Sequence, residues 1–274
     1  MIKMIISDLD GTLLTSEQKI GDKDYQSLLD LGERNIIRVI ATGRSPFSFS
    51  KVIPRDFPID YLVFSSGAGV MDWKTGEILI DRSLSAGKVE ELARIFYSEE
   101  ISFKVLAPVP DNHHYVFFQN GNPHPDFMRR MEYYRGYEKK ICFSPPNFGE
   151  ASQFLIILPD DVKEFDRLSR LCLGVKVVRA TSPIDHQSIW MEVFHPEVSK
   201  GTGCRFLCDK LEINQDETLG IGNDYNDLDL LDFTAKSFIV ENAPQSLKDM
   251  YKIVTSNNNN GFTDAITSEG IIFP

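Results

Sequence analysis

Asp8 and Asp10 leave the end of a short apolar run, Ile2 to Ile6, and Gly11 lets the backbone bend sharply away behind them. A carboxylate at the tip of a buried strand can serve as nucleophile, general acid or metal ligand. Other polar groups follow predicted strands in the same way. Thr42-Gly43-Arg44 follows Ile36–Ala41, Ser65-Ser66-Gly67 follows Tyr61–Phe64, and Asn223-Asp224-Tyr225-Asn226-Asp227 follows Leu219–Ile221. Lys200 falls in the first turn of a predicted helix. Singly, each has an ordinary structural reading as a turn, a strand end, a solvated lysine or a helix cap. A parallel sheet changes this, because it gathers sequence-distant strand tips along one edge, where ligands of open α/β sheets bind.

The chemistry open to such a set is that of phosphoryl groups. Mg²⁺ takes oxygen ligands and keeps several waters, so two or three acids from different loops suit it. A calcium loop fails on spacing. Counted from Asp8, the sixth position is Leu13 rather than Gly, and counted from Asp224, the fifth and sixth are Leu228 and Asp229. A carboxylate can form an acyl-phosphate that water later hydrolyses, while a hydroxyl and a lysine hold the oxygens of the transferred group.

The elements that must position these groups alternate strand and helix. A helix over Lys23–Gly32 joins the first two strands, and a hairpin over Val70–Ile80 turns at Lys74-Thr75-Gly76. From about Leu84 to Pro183 the pattern changes to a self-contained α+β block of a size that can hold its own core. Alternation resumes with a strand at Ile189–Phe194, the Lys200 helix and strands near Leu219–Ile221, Phe238–Val240 and Ile253–Val254. The expected fold is α/β: a Rossmann-like parallel-sheet core, 1–82 plus 185–274, interrupted by an inserted α+β domain, 83–184. The run Asn257–Asn260 before Gly261 reads as a turn.

Composition narrows the partners. With 40 acidic and 29 basic side chains, the net charge of −11 argues against nucleic acid and anionic membranes and for a small-molecule ligand. No apolar stretch approaches the roughly 18 residues needed to span a bilayer, and the apolar start is too short for a signal peptide. Cys142, Cys172, Cys204 and Cys208 have no C-x-x-C spacing; Cys204 and Cys208 fall on one face of a predicted helix, as core residues would. A cytoplasmic location is expected.

The segment Asp8-Leu9-Asp10-Gly11-Thr12-Leu13-Leu14 resembles the first motif of the haloacid dehalogenase superfamily of phosphotransferases. Thr42-Gly43-Arg44 resembles the second, Lys200 in Val198-Ser199-Lys200-Gly201 the third, and Gly222-Asn223-Asp224-Tyr225-Asn226-Asp227 the fourth; the insertion is similar to the α/β cap of Cof-type phosphatases. The resemblance implies a Mg²⁺-dependent phosphatase of small phosphorylated metabolites, sugar phosphates above all, with Asp8 as nucleophile and Asp10 as general acid/base. It makes Thr42 and Lys200 catalytic phosphate binders, with Gly43 beside Thr42; Arg44 and Ser66, just past core strands, are expected at the active-site rim as substrate- or phosphate-binding residues. Asp8, the carbonyl of Asp10 and the acidic loop would hold the metal. Asn223 stands where the motif carries its first acid, which leaves Asn223, Asp224 and Asp227 as alternative ligands. Asp10 favours phosphoryl over dehalogenase chemistry. A phosphomutase or phosphotransferase using the same aspartate, and a catalytically silent phosphometabolite sensor, are the rival readings. In the insertion, Asn112-His113-His114-Tyr115 and Asn122-Pro123-His124 read as exposed loop residues, whereas Phe96 and Phe165 fall at helical core spacing.

Overall fold

The structure is a computed structural model and describes residues 1–121, 123–141, 149–182 and 187–272. Asn122 and Cys142, singled out above, lie outside the described residues, as do residues 183–186 around the expected domain boundary. The chain divides into two compact units, Met1–Ile80 with Ser199–Pro274, and Asp81–Val198.

The chain opens with β1 (Met4–Ser7), α1 (Asp22–Glu33), β2 (Ile37–Ala41), α2 (Pro46–Phe49), β3 (Tyr61–Phe64), β4 (Gly69–Asp72) and β5 (Ile78–Asp81). The middle carries α3 (Ala86–Ser98), β6 (Phe103–Leu106), β7 (Tyr115–Phe118), α4 (Pro125–Tyr133), β8 (Glu138–Lys140), β9 (Gln153–Leu158), α5 (Val162–Ser169), β10 (Lys176–Thr181) and β11 (Ile189–Phe194). It closes with α6 (Lys200–Leu211), β12 (Thr218–Gly222), α7 (Leu228–Phe233), β13 (Lys236–Val240), α8 (Gln245–Lys248), β14 (Lys252–Val254) and α9 (Gly261–Ser268).

In the first unit the sheet runs β14-β13-β12-β1-β2-β3-β4-β5. The six strands from β14 to β3 are parallel, and β4 returns antiparallel to β3. The chain moves outward one way from β1 to β2 and the other way through β12, so the sheet has its switch point at β1. β1 is buried on both faces, as a central parallel strand must be. Met4 and Ile6 pack with Val39, Ala41 and Val63 beneath Cys204, Leu207 and Cys208 of α6. The two cysteines therefore serve as core residues, and burial pushes the Cys208 thiol up to about 11.

The second unit has a six-stranded sheet, β10-β11-β9-β6-β7-β8. β11 belongs to this sheet, antiparallel to both β10 and β9, and not to the parallel core expected for it. The run Ile189–Phe194 is buried throughout, so its composition fits a central strand of either sheet. One sheet face, with Phe103, Val105, Phe154, Ile156, Ile189 and Met191, packs against Val89, Leu92 and Phe96 of α3 and Leu168 of α5. Phe165 packs against the same cluster, as its spacing implied. Two loop expectations fail: Asn112 is buried, and Tyr115 is buried as the first residue of β7.

In the first unit, Asp60 clamps β2 from the segment before β3. Its carboxylate accepts from the Arg38 backbone N–H and Nε, both at 2.9 Å, and from Nη2 at 3.0 Å. Burial pushes this carboxyl up, but the bonds from Arg38 and Lys74 outweigh it and hold it below the ordinary range. Asp60→Ala, which leaves Arg38 without its partner, should cost about 3 kcal/mol in a chemical denaturation at pH 7. A carboxyl lowered on folding stabilises fully above its unfolded pKa and loses that contribution as pH falls through the folded value. The wild type and Asp60→Asn should therefore converge in stability only as pH falls below the ordinary carboxylate range.

Candidate active site

Asp8, Thr42, Ser65 and Asn223 immediately follow β1, β2, β3 and β12, which are neighbours in the sheet. The expected residues are thus brought together along one sheet edge. Asp8 is anchored by its N–H to the Ile221 carbonyl, 2.9 Å away. Behind it, Leu13 and Leu14 donate to the Leu9 carbonyl, and all three leucines are buried, so the turn carrying Asp10 is pinned by its own apolar side chains. Gly11 has φ +77°, and a Cβ there would stand 2.6 Å from the Asn223 amide; a side chain would be both strained and obstructed.

Lys200 enters from α6, whose first turn is held by the reciprocal Ser199–Thr202 capping box. Its side chain is fully buried, and Nζ donates to Asp8 Oδ1 at 2.6 Å and to Asp227 Oδ1 at 2.5 Å. Burial opposes the lysine's charge, but the two carboxylates outweigh it and raise its pKa above the ordinary value. Burial pushes the Asp8 carboxyl up to about 7; Lys200 pulls it down, while Asp227 and Asp10 add to the rise. Asp227 Oδ2 accepts the backbone N–H groups of Asn223 and Asp224 at 2.8 and 3.1 Å. Both Asp227 oxygens are thus engaged in shaping the loop. Asp224 begins the short helical turn Tyr225–Asp227.

Asn223 faces Asp8 directly. One amide position lies 3.1 Å from Asp8 Oδ2, 3.1 Å from the Asp10 carbonyl and 3.2 Å from Thr12 Oγ1. With its –NH₂ there, Asn223 donates to these oxygens; with its oxygen there, two other oxygens oppose it unless a cation lies among them. Adjacent ligands of an octahedral Mg²⁺ are about 3 Å apart, so carboxylate, carbonyl and amide oxygens at this spacing fit that ion. Among the described residues no three His, Cys, Asp or Glu side chains gather as a metal site, and the carboxylate, carbonyl and amide oxygens here are the donors that suit Mg²⁺, Ca²⁺ or Mn²⁺.

Thr42 is buried, and its Oγ1 accepts the Arg44 N–H at 3.1 Å. The Ser65 and Ser66 N–H groups bond the carbonyls of Arg44 and Thr42, which stitches the two loops together. Gly43 sits beside Ser66, and a Cβ there would stand 3.6 Å from the Ser66 Oγ. Ser66, expected at a rim, is buried instead. Arg44 forms a two-pronged pair with Asp10, Nε to Oδ2 at 2.7 Å and Nη2 to Oδ1 at 2.6 Å. Sequence reasoning missed the braces. Asn242 Nδ2 donates to the Gly11 carbonyl at 2.8 Å, and Asn257 Nδ2 donates to the Leu14 carbonyl at 2.8 Å, so the asparagine run supports the Asp8–Leu14 turn.

A parallel sheet with an acid pair, a hydroxyl and a buried lysine along one edge defines a class of α/β hydrolytic enzymes. The family model for haloacid dehalogenase-like hydrolases matches residues 5–266, and the chain belongs to that family. It is 25% identical to a putative phosphatase of Streptococcus pyogenes over 97% of both chains. It is also 25% identical to the HMP-PP phosphatase of Klebsiella pneumoniae, over 90% of this chain and 87% of that one. A Bacteroides thetaiotaomicron phosphatase of the superfamily superposes with a TM-score of 0.82 at 19% identity, covering 99% of this chain and 96% of that one. A subclass IIB sugar phosphatase superposes at 0.79 with 18% identity, covering 98% of this chain and all of that one. At these identities the superpositions show the fold.

Lys200→Met would leave Asp8 and Asp227 buried side by side without their cation. We expect a loss of about 3–5 kcal/mol in urea denaturation at pH 7, measured against wild type.

Proposed function

We propose that the protein is a phosphatase, a phosphoric monoester hydrolase of small phosphorylated metabolites, sugar phosphates among them, acting through an aspartyl-phosphate on Asp8. The observation that carries this reading is the buried Asp8–Lys200–Asp227 group with Asp10 two residues from Asp8 at the same strand end. The names of the full-length relatives agree with it.

In this reading an Asp8 oxygen attacks phosphorus and the bond from phosphorus to the ester oxygen breaks. Asp10 gives its proton to the departing oxygen. Asp10 then takes a proton from water, which attacks phosphorus and frees phosphate and the Asp8 carboxylate. Thr42 donates to the phosphoryl oxygens, and Lys200 holds Asp8 in place while offsetting charge. In the structure Asp10 is paired with Arg44 as a carboxylate, so it would have to leave that pair and take up a proton from solvent before it could protonate the departing oxygen. Asp8, the Asp10 carbonyl and Asn223 would hold Mg²⁺, whose charge offsets that of the phosphoryl oxygens. Asp227 positions the loop instead of ligating. No helix among the described residues is long and apolar enough to cross a membrane.

Phosphate release from a panel of sugar phosphates and an aryl phosphate tests the reading. Release should require Mg²⁺, vanish with chelator and fall at least about a thousandfold in Asp8→Asn, with the fold intact by circular dichroism. Tight substrate binding without release would favour the silent sensor, and phosphate retained in organic products the mutase.

Asn223→Asp adds a negative ligand, so Mg²⁺ should bind about tenfold more tightly by calorimetry. Without the ion the same variant sets a second carboxylate against Asp8 and should melt lower than wild type. An unchanged Mg²⁺ affinity would remove Asn223 from the ligand set.

A further inference from the structure

Lys104 takes no part in this chemistry. It alternates along β6 with Phe103 and Val105 of the apolar cluster and so occupies the opposite face of the second unit's sheet. The residue is 1% exposed. Nζ donates to the Phe127 carbonyl at 3.3 Å and stands 4.5 and 5.2 Å from the ring centroids of Phe127 and Tyr115. A small recess of about 10 Å³, partly open to solvent, adjoins it, lined also by Leu106, Asn112, His113, Tyr115, Arg130 and Tyr134.

The groups facing this recess are rich in donors. Tyr115 is 6% exposed, and its hydroxyl has no hydrogen-bond partner among the described residues. Burial pushes that hydroxyl's pKa up to about 12, so it keeps its proton to donate. The Arg130 guanidinium stacks 4.8 Å from the Tyr134 ring and 4.7 Å from Trp190, and no described carboxylate lies within ion-pair reach of it or of Lys104. Of the nearby acids, Asp126 is hydrogen-bonded on one oxygen only, its Oδ1 having no hydrogen-bond partner among the described residues. Asp126 Oδ2 accepts from Ser182 Oγ at 2.7 Å, Trp190 Nε1 at 2.8 Å and Ser188 Oγ at 3.2 Å, while Oδ1 is 3.8 Å from Arg129. Glu138 accepts the Gly136 N–H at 2.6 Å. The Arg130 guanidinium, a Lys104 amine with one carbonyl acceptor and a phenol with none share a lining in which the Asn112 side-chain oxygen is a further acceptor, and an anion can satisfy several such donors at once.

We propose that this recess binds a small oxyanion, a carboxylate or phosphate group, held by the Lys104 ammonium, the Tyr115 hydroxyl and the Arg130 guanidinium. Burial, and then the charge of Arg130, push the amine of the anion-free protein down to about 6, against the opposing pull of Asp126 and Glu138. An arriving anion reverses that balance, so binding above pH 6 draws in a proton.

Calorimetric titration of the full chain with malonate and with inorganic phosphate tests this, in chelator and in two buffers of different ionisation enthalpy. Saturable binding with uptake approaching one proton per anion at pH 7.5 is expected. Affinity should rise about tenfold from pH 7.5 to pH 6. Lys104→Met, an unbranched side chain of similar reach among aromatic rings, should abolish the proton uptake. That variant and Arg130→Gln, at a half-buried position, should each weaken binding about tenfold, and Tyr115→Phe about threefold. Absence of saturation at tens of millimolar, or affinity unchanged in both Lys104→Met and Arg130→Gln, overturns the site. A second arm identifies the anion's source. If malonate raises KM for an aryl phosphate without changing kcat, and Lys104→Met removes the effect, the recess takes an anionic group of the substrate; a changed kcat assigns it to a free effector. The calorimetric result does not depend on hydrolysis, so failure of the proposed phosphatase activity leaves it intact.

Discussion

A buried ammonium between two buried carboxylates is the constraint on which the first unit depends. Lys200 sits at the amino end of α6, where the helix dipole disfavours a cation. It stays charged because Asp8 and Asp227 are both within 2.6 Å. The three residues come from the end of β1, the start of α6 and the loop after β12, so one charge cluster fixes three elements relative to each other. A compact ammonium suits the position better than a guanidinium, whose planar fork would need two acceptor edges in one plane. The influence extends one step further. Asp227, held by Lys200, turns its second oxygen to the N–H groups of Asn223 and Asp224, and so sets where the Asn223 amide meets Asp8.

The backbone makes such crowding possible. Gly67, at φ +99°, lets the loop after β3 come so near the start of α6 that a Cβ would overlap the Ser199 carbonyl. Asp8 and Asp10 then experience different environments two residues apart. Asp8 is buried and fixed by Lys200, whereas the Asp10 side chain is 30% exposed and paired with Arg44 from the loop after β2. A nucleophile must be held at one point, and an acid/base must reach first a leaving oxygen and then water. The division between a rigid carboxylate and a partly solvated one matches that difference of task in the proposed reaction.

The parallel core could be read from the sequence because its strands are short apolar runs that end in acids, hydroxyls or glycine, and each such ending proved to lie on the same sheet edge. What could not be read depends on contacts distant in sequence. β11 is apolar at nearly every position, and periodicity does not say which sheet claims such a strand. β8 is Glu138-Lys139-Lys140, without any apolar signal. The asparagine run does turn, with Asn260 at φ 60°, but its bond from Asn257 to Leu14 spans 243 residues and leaves no local trace. Arg44 was legible as a site residue, but its partner was not: a guanidinium that matches a phosphoryl group matches a carboxylate equally well.

The second unit presents the opposite problem, a polar face that folding does not require. Its α3 and α5 side is a conventional apolar core. The other face buries Lys104, Gln153 and Glu192, with Asp126 of α4 satisfied on one oxygen by three donors. Replacing such groups by apolar side chains of similar size is often neutral or stabilising, so their presence has no stability argument behind it. Gln153 and Glu192 answer each other across β9 and β11, at 3.4 Å, and Asp126 is answered by Ser182, Ser188 and Trp190. Lys104 and Tyr115 are not answered in this way: the amine has a single carbonyl, and the hydroxyl has no partner among the described residues. A buried polar face that bonds Asp126 Oδ2 three times yet leaves a phenol without a partner and an amine with one carbonyl beside a recess is better explained by a ligand than by packing.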